Sequence, residues 1–113
     1  MRAWNLLDVD APDGTRDPVV LHSTEEARAV LVVLNPGQRL GDHQVFEHAY
    51  LAVVDGNVRV QAGADSYEAG PGMLFRFDAG ERHAVASDAG ARILLFLAPW
   101  PGEGHYRGGD GQR

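Results

Sequence analysis

Short apolar segments recur along the whole chain, each closed within a few residues by Gly, Pro, Asp or Asn. This punctuation limits the fold more than any other feature, because a strand needs only four to eight residues whereas a packed helix needs ten or more. Residues 29–34 form a near-continuous apolar run ended by Asn35-Pro36-Gly37, and residues 49–54 form another. The second run ends in Asp55-Gly56, the strongest short hairpin signal in the chain. Residues 58–62 alternate apolar and polar, as a half-buried strand does. Residues 65–69 are closed by Gly70-Pro71-Gly72, and 73–77 alternate around Arg76 before a turn at 78–81. Residues 83–86 and 92–98 complete the series.

Upstream, residues 3–7 are expected as a first strand, followed by a loop over 8–17 and a strand over 18–22. Ser23-Thr24-Glu25-Glu26 has the spacing of a capping box, but β-branched residues follow almost at once, so at most one helical turn is expected there. About nine strands without a helix longer than a turn read as an all-β protein, an antiparallel barrel or sandwich. The runs over 30–34 and 93–98 do not alternate, which predicts cover on both faces. In so small a barrel the expected second cover is another copy of the chain, a homodimer.

At 113 residues there is room for one core. The expected domain is a barrel with its flanking arms over residues 1–107 and a disordered tail over 108–113. A net charge of −6 argues against nucleic-acid binding, which needs clustered cations. Cysteine is absent, which removes disulfides, thiolate metal sites and thiol nucleophiles; lysine is absent too, which removes a Schiff-base amine. No apolar run approaches a membrane span and the first residues carry no signal-peptide pattern, so a cytoplasmic protein is the default expectation.

Candidate chemistry concentrates in residues 36–48, which hold His43, Glu47 and His48 between two apolar runs. Gly37 is followed after five residues by His43, then by Val45, Ala49 and Gly56; Gly72 is followed by Asp78-Ala79-Gly80, His83 and Ser87. In glycine frame and histidine spacing these two stretches resemble the paired motifs of the cupin family over residues 37–87. The resemblance implies a jelly-roll barrel, the double-stranded β-helix. In metal-binding members three histidines and a glutamate hold iron, manganese or another divalent ion. The matching positions here are His43, Val45, Ala49 and His83, so half of that ligand set is missing.

Glu47 shares the parity of His43 and Val45, and with His43 and His83 it completes a two-histidine, one-carboxylate set. On one extended strand, however, His43 and Glu47 are separated by about 13 Å, and a bend is needed to bring them to one ion. His48 is the other auxiliary candidate, and it requires the same irregularity. Val45, Ala49, Phe75 and Phe77 are the expected pocket positions, because inward residues of a small barrel both fill it and shape its cavity. The bland alternative makes His43 and His83 hydrogen-bonded barrel-mouth residues, and His105 part of a mobile arm.

Three functions are compatible with these residues. One is a barrel binding a small molecule, metal-free or weakly metal-binding through His43 and His83. Another is an iron-, manganese-, nickel- or zinc-dependent dioxygenase or isomerase using Glu47 or His48 as auxiliary ligand. The last is a metal-free acid/base enzyme using His43 or His83. The sequence does not decide between enzyme and binder, and it does not name the ligand.

Overall fold

A computed structural model describes residues 1–10, 18–43 and 47–99, the side chains of 41–43 excepted. Its nine strands are β1 (Val19–Ser23), β2 (Arg28–Leu34), β3 (Arg39–His43), β4 (His48–Gly56), β5 (Val58–Ala62), β6 (Asp65–Ala69), β7 (Leu74–Phe77), β8 (His83–Ala86) and β9 (Ala91–Ala98). They form two antiparallel sheets, β1-β2-β9-β4-β7 and β3-β8-β5-β6. No helix occurs among the described residues. Strands consecutive in sequence repeatedly fall in opposite sheets, and this alternation makes the two-sheet jelly roll.

Alternation decides what each sheet buries. Val30, Val32 and Leu34 of β2 meet Leu51 and Val53 of β4 and Ile93, Leu95 and Leu97 of β9 in one core with Val58, Val60 and Val85 of the other sheet. Leu31, Leu51, Val32 and Ile93 have no exposed surface. Leu31 has the opposite parity to Val30 and Val32, so β2 is covered on its outer face as well as its inner one. Part of the outer cover is the chain's own beginning: Arg92 donates from Nη1 to the carbonyls of Leu6 (2.8 Å) and Val9 (2.9 Å). Further along the same face, Phe96 is 41% exposed and Leu74 is 63% exposed.

Residues 3–7, expected as a strand, contain none. The Asp8 amide closes a turn on the Asn5 carbonyl (2.9 Å), and the Asn5 side chain donates to Asp8 (2.8 Å), so local polar bonds win over extension. The ninth strand is instead β3, inside the stretch that carries His43. At the capping-box position the helical turn is also absent. Thr24 turns the chain between β1 and β2, its hydroxyl accepting from the amides of Glu26 (3.1 Å) and Ala27 (3.3 Å). His22 sits on β1 with its ring 6.2 Å from that of Trp4.

The Asp55-Gly56 signal does not make a hairpin. β4 and β5 lie in different sheets, and Gly56 turns the chain between them with φ +79°. The two-residue hairpin is Gly63-Ala64, between β5 and β6, with Gly63 at φ +60° and Ala62 paired with Asp65. A left-handed first position followed by an ordinary second one is the type II′ pattern. Asn35-Pro36-Gly37-Gln38 is a type II turn, closed by the Gln38 amide on the Asn35 carbonyl (2.9 Å) with Gly37 at φ +83°.

Candidate functional site: the barrel interior at His83, Glu47 and the Phe75–Phe77 cavity

The turn at residues 78–81 aims the first site residue. The Asp78 amide donates to Glu81 Oε1 (2.9 Å) and the Glu81 amide to the Asp78 carbonyl (3.0 Å), so the segment leading into β8 is fixed at both ends. His83 follows, 3% exposed, with Nδ1 3.2 Å from the Glu81 carbonyl. A carbonyl only accepts, so Nδ1 carries the proton; in the neutral ring Nε2 then holds the lone pair. The imidazole lies flat on Phe77, with centroids 4.0 Å apart and planes 5° from parallel.

His43 is the Cα partner of His83 in the β3–β8 ladder, just past a register shift between Leu40 and His43. Its side chain lies outside the described residues, as do Gln44, Val45, Phe46, His105 and the arm and tail from residue 100 onward.

Glu47 occupies a bend immediately before β4 and has no exposed surface. It shares the parity of Ala49, Leu51 and Val53, the inward residues of β4. A carboxyl wholly inside a small barrel is costly to bury, which marks Glu47 among the interior residues. β3 runs to His43 in one sheet and β4 begins at His48 in the other, so His43 and Glu47 do not share one strand.

The neighbouring candidate goes the other way. His48 points to the outer face, where its Nδ1 is 2.9 Å from Arg76 Nη2. Arg76 also donates from Nη1 to Asp78 (2.6 Å) and from Nε to the Tyr50 hydroxyl (3.4 Å). These bonds, to Tyr50 first and Asp78 second, hold the Arg76 guanidinium above its ordinary pKa. The structure therefore places Glu47 and His83 in the interior and His48 in a separate surface network.

Of the expected pocket residues, Ala49 is 1% exposed and pairs with Phe77 across β4 and β7. Phe75 and Phe77 do line a cavity of about 130 Å³, together with Val60, Ala62 and Tyr67. Asp65, Arg76 and Glu81 complete its wall with charge. Tyr67, Asp65 and Glu81 were not foreseen as site residues. Alternation on β6 carries the signal for the first two, since Asp65 and Tyr67 share the parity of buried Ala69.

Two imidazoles and a carboxylate are a donor set that suits a divalent transition ion. Among the described side chains, no three of His, Asp or Glu gather as a metal cluster. The third donor of such a set would be His43.

A model of the cupin domain matches residues 30–97. Among solved structures, a protein from Thermus thermophilus is 24% identical with a TM-score of 0.78, over 88% of this chain and 98% of that one. A Klebsiella pneumoniae protein with a double-stranded β-helix domain is 17% identical, with a TM-score of 0.78 over 88% and 90%. A cupin superfamily protein from Desulfitobacterium hafniense is 13% identical, with a TM-score of 0.75 over 82% and 85%. No curated protein matches. The two-sheet topology, the two glycine-framed turns and the match over residues 30–97 lead to one conclusion: the chain belongs to the cupin family.

Proposed function

We propose that this barrel binds a small molecule at the cavity between β5, β6 and β7, with His83 stacked behind the Phe77 wall. One observation carries the reading: Phe75 and Phe77 line the cavity, and buried His83 is stacked on the ring of Phe77. Apolar and aromatic walls beside a few fixed polar groups are what a small-molecule site requires. A cavity of about 130 Å³ suits a ligand of few heavy atoms. An NMR fragment screen tests this. Hits are expected to move the ring signals of Phe75, Phe77, Tyr67 and His83; a screen whose hits leave all four unmoved contradicts it.

A second reading is favoured by the bend at Glu47. Glu47 and His83 are both buried and would give two donors to a divalent ion, and the backbone of His43 pairs with that of His83. Bound there, such an ion would polarise a substrate or activate oxygen. The chain's own part would be that the Glu81 carbonyl fixes the His83 tautomer and that Glu47 presents its carboxylate with no exposed surface. Elemental analysis of protein purified without chelator is expected to give close to one iron, manganese, nickel or zinc per chain, falling in Glu47→Gln and His83→Ala. Equal metal content in wild type and both variants would overturn this reading.

The outer face of the five-stranded sheet further supports a homodimer. Leu74 and Phe96 stand exposed on parities that share one surface, and exposed large apolar side chains beside the His48–Arg76 network are most simply covered by a second copy.

A further inference from the structure

We propose that the cavity between β5, β6 and β7 selects a small organic cation, a substituted ammonium. The inference rests on the small-molecule reading above and adds the charge of the ligand.

The wall chemistry points one way. Phe75 and Tyr67 meet edge to face, with centroids 5.8 Å apart and planes at 60°. Both rings line the cavity, and an aromatic ring on a cavity wall attracts a cation placed over its open face. Two carboxylates, Asp65 and Glu81, share the same wall. The Glu81 carboxylate is held in place, because its Oε1 accepts the Asp78 amide at 2.9 Å. A preset anion spends little ordering free energy on a ligand.

Arg76 is the one cation among the described lining residues, and its charge is already answered. Nη1 is bound to Asp78 at 2.6 Å, Nη2 to His48 at 2.9 Å and Nε to Tyr50 at 3.4 Å. The guanidinium lies 5.8 Å from the centroid of the Tyr50 ring, on the outer side of the sheet. What remains toward the cavity is negative charge and aromatic face. The whole chain, at −6, adds a field of the same sign. An anionic ligand would meet Asp65 and Glu81 without a spare guanidinium to receive it.

The test compares three probes of one shape on the full chain, followed by NMR at Phe75 and Tyr67. They are choline, its uncharged isostere with tert-butyl in place of trimethylammonium, and tert-butylacetate, an anion of similar bulk. Choline is expected to bind roughly tenfold more tightly than the neutral probe. The advantage should disappear in an Asp65→Asn/Glu81→Gln variant, which keeps shape and leaves an oxygen to accept the Asp78 amide. If the neutral probe or the anion binds as well as choline, the cation inference falls and the small-molecule reading stands. If none of the three moves Phe75 or Tyr67 at tens of millimolar, while fragments of other chemistry do, the cation inference alone falls. If no fragment does so either, both fall.

Discussion

At the scale of single residues, two glycines separate conformation from close approach. Gly56 and Gly63 are both left-handed, at φ +79° and +60°. A Cβ on Gly63 meets nothing within 4 Å, whereas one on Gly56 would stand 2.2 Å from the Gly90 carbonyl oxygen and 2.7 Å from Ala91 Cα. Gly63→Ala is expected to cost about 1–2 kcal/mol, the ordinary left-handed penalty. Gly56→Ala is expected to cost at least about 3 kcal/mol, since backbone on both sides must move. Denaturant unfolding of the two variants checks this, and equal losses would contradict the geometry. Ser87 gives a parallel case: buried, it donates to the Asn57 carbonyl (2.7 Å) and accepts the Gly90 amide (2.9 Å). Ser87→Ala should lose about 1 kcal/mol by the same measurement, because it removes the Ser87 hydroxyl from two part-buried backbone groups. The Asp-Gly pair at 55–56 was expected to close a hairpin, and it instead turns the chain from one sheet to the other with Gly56 at positive φ. A dipeptide specifies φ, while the choice between hairpin and sheet-to-sheet crossing depends on Gly90 and Ala91, far along the chain.

At the scale of elements, most strands were legible. The pattern at 58–62 matches β5 residue for residue, 65–69 matches β6 and 83–86 matches β8, because each has alternation or apolar content closed by Gly, Pro or Asp. Residues 36–48 were harder to read. His43, Val45 and Glu47 share parity, so an unbroken strand was the simplest expectation. The chain instead leaves one sheet at His43 and joins the other at His48. That crossing is long-range, set by β3 pairing with β8 and β4 pairing with β9, and a local window does not contain it. The consequence is chemical, since Glu47 falls inside the barrel and His48 outside. Glu47→Gln should therefore alter metal content, and His48→Ala should leave it unchanged. Loss of metal in His48→Ala alone would contradict the assignment of faces.

At the scale of the whole molecule, the apolar run over 30–34 signalled a strand with buried residues on both faces, whereas β9, over the run 93–98, leaves Leu94 half-buried and Phe96 exposed on its outer face. Leu31 is fully buried on the outer face, and Arg92 anchors residues 1–10 by two carbonyls there. The remaining exposed apolar surface at Leu74 and Phe96 is the surface we assign to a second copy. Sedimentation should show a dimer for the wild type and a monomer for Leu74→Lys; a wild-type monomer at high concentration would contradict the pairing. The ligand itself was not legible, because the cavity joins alternate residues of β5, β6 and β7 with Glu81 of a turn, and which strands meet there is set by long-range pairing. Filling that cavity shows whether the ligand binds there. Ala62, on its wall, can be replaced by Phe, and the affinity of any fragment that moves Phe75 and His83 then measured. The account predicts at least roughly tenfold weaker binding, or about 1.4 kcal/mol, with the fold retained. Unchanged affinity in the folded Ala62→Phe protein would place the ligand elsewhere and contradict the account.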